Sequence, residues 1–429
     1  MKKQVSIFTF GCKLNQYETE TMREKLSYKY DVSVEGEKAN LFIINTCTVT
    51  SEAERKTRQL YRKLKRENDR ASFVAVGCYS KLSPEDFESL GFDYVGGIDE
   101  KGSIDTIVDT VFNGEEPVIK KENNILIADK GLADRTRAYL AIQDGCLNNC
   151  AYCRIRLARG NRIQSKDRDL VLDEFKNLLK NGYREIVLTG VNIGYYGFDT
   201  NDNLLGLLRC LSIVHGNWRL RLSSIDPRIV SDELIDYIAN HEKIAQHLHL
   251  SLQSGSNDIL MRMKRGYTTE RYETIVEKLR IRNERFSFTT DIIVGFPGET
   301  NEEFEETCSF VRKREFLKVH IFRFSPRPGT EAFTMKDRIS GTIKKNRARL
   351  LRDIAEKGSR SYLKSQEGKR STVLVENTYD GYSFGYDEYY IQHRINGKYT
   401  EGFVEVHILT TGRSEAFSNA ELCCESVEV

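Results

Sequence analysis

From residue 1 to about 115 the chain alternates short apolar, β-rich runs with stretches of helical period. The runs are VSIFTF (5–10), LFIIN (41–45), SFVAVG (72–77) and DYVGG (93–97). Between them the 3.6-residue periodicity predicts helices over 16–28, 51–69, 84–90 and 101–112. Such alternation implies an α/β fold with a parallel, doubly wound sheet. Residues 116–133 carry no clear periodicity and read as a linker, with a short hairpin expected around NNILIA. From 134 to 330 the alternation resumes with AYLAIQDG, REIVLTG, WRLRLSS, HLHLSLQ, FSFTTDIIVG and KVHIFRFS, separated by helical patterns. Six strands with five crossovers predict a partial (β/α)6 barrel, short of the full eight units and open on one side. Residues 342–366 again have helical character. After 371 the short runs STVLVEN, YSFGY, YYIQHRI and GFVEVHIL predict a small antiparallel β-barrel. The expected domains are 1–115, 134–362 and 363–429, close to the three that a length of 429 residues suggests.

Composition changes this picture little, but charge distribution adds to it. The chain is 39% hydrophobic and 30% charged with a net charge of only +2, as for a soluble globular protein. Residues 54–70 hold eight Lys/Arg against three Asp/Glu, and residues 336–370 hold twelve against four. These stretches are either solvated faces or tracks for an RNA backbone. From 371 onward the balance reverses, with three Lys/Arg against ten Asp/Glu. That barrel cannot bind phosphate by bulk charge. Its Tyr379, Tyr382, Phe384, Tyr386, Tyr389 and Tyr390 either stack on bases or form its core. The N-terminus fails as a secretory signal, and no apolar stretch reaches the roughly 18 residues of a membrane span. A cytoplasmic protein is expected.

Ten cysteines in such a chain argue for metal or catalytic thiols over disulfides. Cys210 and Cys308 fall in amphipathic helical patterns and read as packing; Cys423 and Cys424 have no evident role. The other six form two sets. Cys12, Cys47 and Cys78 each follow one of the first three strands, and the carboxyl ends of parallel strands form the ligand-binding edge. Cys146, Cys150 and Cys153 form C-x3-C-x2-C in the loop after the first barrel strand, at the catalytic end of such a barrel. Three thiolates so spaced reach three corners of a [4Fe–4S] cube. The fourth iron is left to chelate S-adenosylmethionine, whose reductive cleavage gives a 5′-deoxyadenosyl radical. The competing reading is zinc, which normally takes four ligands; the next cysteine, Cys210, is on a helix.

These residues resemble the radical S-adenosylmethionine superfamily, and several segments narrow the resemblance to the methylthiotransferases. The segments are GCKLN (11–15), NTCTVT (45–50), GCYSK (77–81), QDGCLNNCAYC (143–153), ARG (158–160), LTGVNIGYYG (188–197), SLQSG (251–255), VGFPGET (294–300) and FSPRPGT (324–330). The C-terminal part resembles a TRAM domain, a small barrel linked to RNA binding. The resemblance implies two [4Fe–4S] clusters, the second held by Cys12, Cys47 and Cys78. It also implies S-adenosylmethionine, a tRNA anticodon stem-loop as partner and an electron-donor protein.

GCKLN is similar to the branch that methylthiolates N6-threonylcarbamoyladenosine next to the anticodon. The branch acting on isopentenyladenosine usually reads GCQMN, and a third modifies an aspartate of a ribosomal protein. An alternative of another class is a zinc-stabilised RNA-binding protein without catalysis. The sulfur donor and oligomeric state stay open, with a monomer expected. Residues expected at the cofactor are Tyr152, Gly190, Ser224, Asp226, Gln253, Ser254, Val294 and Pro297. Arg154, Arg156, Arg159 and Arg327 are candidate substrate contacts, since a guanidinium fork matches a carboxylate; phosphate or solvent contact is the alternative. Asp226 stands where many relatives have glutamate, and Arg156 where many have proline.

Overall fold

The computed structural model describes residues 2–115, 119, 125–128, 136–399, 402–411 and 417–422. Its first sheet contains β1 (Gln4–Thr9), β2 (Asp31–Val34), β3 (Leu41–Thr46), β4 (Ser72–Gly77) and β5 (Tyr94–Val95). All are parallel, in the order β2-β1-β3-β4-β5. Ile7, Ile43 and Val74 face helices Lys13–Ser27 and Ile104–Asn113, whereas Phe8, Phe42 and Phe73 face helix Ser51–Glu67. Burial on both faces is why these strands read as unbroken apolar runs. The strand order reverses between β1 and β3, the position at which doubly wound sheets open a crevice. Cys12 follows β1, Cys47 follows β3, and Cys78 begins the helix Cys78–Leu82 directly after β4.

The central region contains β6 (Arg137–Asp144), β7 (Gln164–Ser165), β8 (Glu185–Gly190), β9 (Arg219–Leu222), β10 (His247–His249), β11 (Ser287–Val294) and β12 (Lys318–Arg323). Apart from the two-residue antiparallel β7, these are the expected six parallel strands. They form two sheets, β7-β6-β8-β9 and β10-β11-β12, joined by the bridges Leu220↔Ile244 and Ile225↔Leu250. No ladder among the described residues links β12 back to β6, so the barrel is open there. Helix Lys13–Ser27 of the first sheet packs along β6 and β8. Its Tyr17 hydroxyl lies 2.6 Å from both the Leu126 carbonyl and Glu174 Oε1, and the Ala128 N–H reaches Glu174 Oε1 at 3.1 Å. Residues 125–128 are therefore pinned as irregular chain and not as the expected hairpin. The other residues of that expectation, 123 and 124, lie outside the described residues.

The last region is a closed barrel of β13 (Arg370–Tyr379), β14 (Tyr382–Tyr386), β15 (Gln392–Asn396), β16 (Gly402–Thr411) and β17 (Phe417–Leu422). Four pairings are antiparallel, but β15 and β17 run parallel, a departure from the all-antiparallel expectation. Closure brings β17 between β16 and β15, and a chain returning at that seam enters alongside β15. The barrel caps the amino ends of the central strands. Arg219 and Arg221 of β9 grip Glu185 of β8 at 2.6 and 2.9 Å and donate to the carbonyls of Thr372, Tyr386 and Asp387. Tyr386 and Tyr390 stack on each other, each beneath Arg137, and Tyr389 lies 4.1 Å below Arg285. These three tyrosines thus seal the inter-barrel joint, Tyr382 packs under Arg394, and Tyr379 stands exposed. No helix among the described residues is long and apolar enough to cross a membrane.

Candidate functional site

Both cysteine sets lie along one seam between the first sheet and the central barrel. Helix Cys78–Leu82, which begins with Cys78, packs against helix Ile155–Arg159, which begins two residues after Cys153. Glycines make the close approaches possible. Gly11 has φ +106°, and a β-carbon there would come within 2.6 Å of Cys47 Sγ. Gly145 has φ +78°, and a β-carbon would collide with the Arg162 carbonyl at 1.9 Å. Only a residue without a side chain turns the backbone into each cysteine at these places.

Four of the six thiols have donors suited to thiolates. The N–H groups of Val49, Asn148 and Ile155 each lie 3.4 Å from the sulfur two residues earlier, of Cys47, Cys146 and Cys153. Arg265 Nη1 lies 3.2 Å from Cys150 Sγ. Burial, then the neighbouring Cys12, pushes the Cys47 thiol up to about 12; burial, then Cys150, does the same for Cys153. Cys78 and Cys146 are raised by burial as well. Thiols that stay protonated on their own become thiolates only with a strong local positive charge, and a coordinated metal supplies it. All six are free of disulfides. Cys47 and Cys78 are buried, Cys146, Cys150 and Cys153 half-buried and Cys12 exposed; with the sulfur-directed N–H groups and close-approach glycines, the two sets fit iron–sulfur ligation.

Arg159 lies deeper than a substrate contact would. Its Nη1 is 2.8 Å from both Glu18 Oε1 and Asp144 Oδ2, its Nη2 bonds Asn15 and Glu18, and its side chain is 1% exposed. Lys101 completes the hub at 2.5 Å from Glu18. Arg156 instead reaches out to Asn149 Oδ1 at 2.8 Å. Arg154 and Arg327 do converge, both on Glu54 of helix Ser51–Glu67.

Among the expected cofactor residues, Tyr152 is half-buried beside Ala151, Phe296 and Phe324. Val294 ends β11 and Pro297 stands in the buried turn after it. Gly190 ends β8, where a β-carbon would meet the Gln143 carbonyl at 2.6 Å, so strand packing alone already requires glycine. Gln253 holds φ +72° and bridges to Ile292. Ser254 turns toward Thr307 Oγ1 at 3.2 Å and accepts from the Ser256 N–H. Ser224 is half-buried just past β9. Asp226 has its oxygens filled by Asn148 Nδ2 at 3.0 Å, three donors of Arg228, and Arg265 at 3.2 Å. Through Asn148, which lies inside the cysteine loop, Asp226 is tied to that loop.

Sequence reasoning missed Arg265 and Glu54, whose partners lie 115 and 100 residues away. Their only local signal is the RGY turn after a helix for one and an acid in the first turn of a basic helix for the other. Lys13 of GCKLN was also missed as a site residue. Burial, then Arg221 and Arg137 of the barrel strands, bring its ammonium down to about 8. The lumen it faces holds His249, Asp291 and His320, whose ligand atoms all lie within 4.8 Å of one another. His249 bonds Thr289 Oγ1 at 3.0 Å and Asp291 Oδ2 at 3.3 Å.

The chain resembles known proteins over most of its length. Residues 140–311 match the model of the Radical SAM superfamily, and residues 4–96 match that of the Uncharacterized protein family UPF0004. The chain is 43% identical to a threonylcarbamoyladenosine tRNA methylthiotransferase MtaB of Thermotoga maritima, over 95% of this chain and 94% of that one. It is 36% identical to a tRNA-2-methylthio-N(6)-dimethylallyladenosine synthase of Carboxydothermus hydrogenoformans, over 87% and 88%. Among solved structures it is similar to the radical S-adenosylmethionine methyltransferase TsrM of Kitasatospora setae. There the TM-score is 0.56 and the identity 15%, covering 78% of this chain and 77% of that one, a likeness of fold alone.

Proposed function

The chain belongs to the radical S-adenosylmethionine methylthiotransferases, and from that premise we propose that it converts N6-threonylcarbamoyladenosine next to the tRNA anticodon to its 2-methylthio derivative. The observation that carries the reading is the pair of cysteine sets facing one seam, in a chain 43% identical over nearly its whole length to a relative named for that reaction. Membership makes the chain an enzyme that uses S-adenosylmethionine and a [4Fe–4S] cluster, and sets aside the non-catalytic zinc reading.

Cys146, Cys150 and Cys153 would hold the cluster that binds S-adenosylmethionine, and Cys12, Cys47 and Cys78 would hold a second. Bound there, such groups supply a 5′-deoxyadenosyl radical and a sulfur to be methylated and inserted. The chain's own residues do the positioning. Arg265 places a charged donor on Cys150, while Asp226 and Asn148 fix the cysteine loop. The Glu18–Arg159–Asp144 hub locks the first sheet against the barrel, so that both cysteine loops keep one spacing. The apolar turn at Phe296 and Pro297, with Tyr152, keeps water from one wall. The reading calls for an external one-electron donor protein and a sulfur source in a cytoplasmic setting. The cationic character of the seam favours a carboxylate-bearing side chain over the isopentenyl one.

The test is nucleoside mass spectrometry of tRNA from a strain lacking the gene. The 2-methylthio derivative of N6-threonylcarbamoyladenosine should disappear, leaving its precursor, and return on complementation. Unchanged levels, or loss of the isopentenyladenosine derivative instead, would refute the assignment.

A further inference from the structure

Two buried arginines share one acid at the seam. Arg154 directly follows Cys153, and its Nη1 lies 3.2 Å from Glu54 Oε1. Arg327 donates Nη2 to the same oxygen and also to the Thr48 carbonyl and hydroxyl at 3.1 and 3.2 Å. Thr48 in turn directly follows Cys47 and donates to Glu54 Oε1 at 2.9 Å. Side-chain exposure is 8% for Arg154, 7% for Arg327 and 12% for Glu54. The group therefore lies between one cysteine of each set.

Its charges do not balance. Two guanidinium groups face one carboxylate, and the next charges, Arg58 and Asp86, cancel each other through the Tyr79 hydroxyl between them. Both arginines also have a buried Nε with no hydrogen-bond partner among the described residues. A buried, uncompensated cation with open donors is costly to keep. The arrangement becomes favourable when an anion completes it.

Building on the function proposed above, we propose that Arg154 and Arg327 form the receptor for the carboxylate of the threonylcarbamoyl group, with Glu54 holding the two forks together. Two observations select a carboxylate over an RNA phosphate, which carries the same single charge. The open donors are buried, and the flanking residues are cysteines of both sets, so the ligand lies next to the reacting base. Arg159 has no such capacity, since Glu18, Asp144 and Asn15 already take its donors. The same pair explains discrimination: an isopentenyl group entering this seam leaves the open Nε donors and the excess positive charge unanswered, and polar sites reject analogues that cannot pair with them.

The experiment uses the iron–sulfur-reconstituted full chain and an anticodon stem-loop RNA carrying N6-threonylcarbamoyladenosine, either as the free acid or as its neutral carboxamide. Binding and kcat/KM are read for each. Wild type should prefer the acid by roughly 100-fold. Arg327→Gln and Arg154→Gln should each lose most of that preference by weakening the acid alone, with iron content and Tm as controls for folding. Glu54→Gln, which raises the local charge by one, should strengthen acid binding severalfold. Equal loss of acid and carboxamide in the arginine variants would assign these residues to phosphate contact or to structure, and would overturn the inference. So would a wild type that methylthiolates the acid and the carboxamide equally well. Absence of any turnover on the acid RNA would instead bring down the functional reading beneath it.

Discussion

Glu18 shows how a single residue ties the site together. It lies on helix Lys13–Ser27, six positions after Cys12, and accepts from Arg159 and Lys101 while only 5% exposed. Burial opposes its charge, but Arg159 and then Lys101 outweigh it and hold the carboxyl down to about 2, against an ordinary 4.5. A value depressed in the folded state contributes stability that is complete above the unfolded value. It is lost as pH falls from about 4.5 toward 2. Glu18→Gln should cost about 3–5 kcal/mol at pH 7, because it strands buried cations. The gap between wild type and variant should then narrow from pH 5 to pH 3 in denaturant unfolding of the cluster-free protein. A gap independent of pH would show that the Glu18 charge does not stabilise the fold. At this scale the two cysteine sets stood out in the sequence by their spacing and their places after strands, and the structure brings both to one seam. The burial of Arg159 in an ionic hub did not show in the sequence, because its partners Glu18 and Asn15 precede it by more than 140 residues. A sequence cannot show which arginine finds a buried acid.

At the scale of elements, runs buried on both faces announced themselves, as LFIIN, SFVAVG and DIIVG did. Elements with little apolar burial did not. The edge strand DVSV is four residues long and mostly exposed, so no run marks β2. β17 (FSNAEL) alternates with polar residues and is held by closure of the last barrel, a long-range constraint. The tyrosine-rich stretch could be read as base-stacking or as core. The structure gives Tyr386, Tyr389 and Tyr390 to the joint with the central barrel, through Arg137, Arg221 and Arg285. Glu185 is the anchor of that joint, fully buried and gripped by Arg219 and Arg221. Glu185→Leu should leave two buried guanidinium groups unpaired and cost about 3–5 kcal/mol. Amide exchange in β13 and β14 should accelerate, reporting the loosened cap. Unchanged protection there would mean that the aromatic stack alone holds the barrel.

For the whole molecule, the three regions form a line: the doubly wound sheet with its crevice, the open six-stranded barrel, and a small barrel closing the far end. The basic helix Gly341–Lys364 runs along the central barrel. Its Lys344 donates to the Phe324 carbonyl at 3.0 Å, near the turn that follows β11, so its cationic face starts at the rim of the site. The acidic terminal barrel sits at the opposite, amino end of the strands, away from both cysteine sets. This polarity was half legible: the charge reversal at residue 371 was visible in the sequence, its spatial meaning was not. Two iron–sulfur sites, held by separate cysteine sets at one seam, are central to the proposed reaction. Iron analysis after anaerobic reconstitution tests that directly, in wild type and in the two variants with either Cys12, Cys47 and Cys78 or Cys146, Cys150 and Cys153 replaced by alanine. Wild type should take up about eight irons per chain and each variant about four, one cube remaining in each case. About four in wild type, or loss of all iron from either variant, would contradict it.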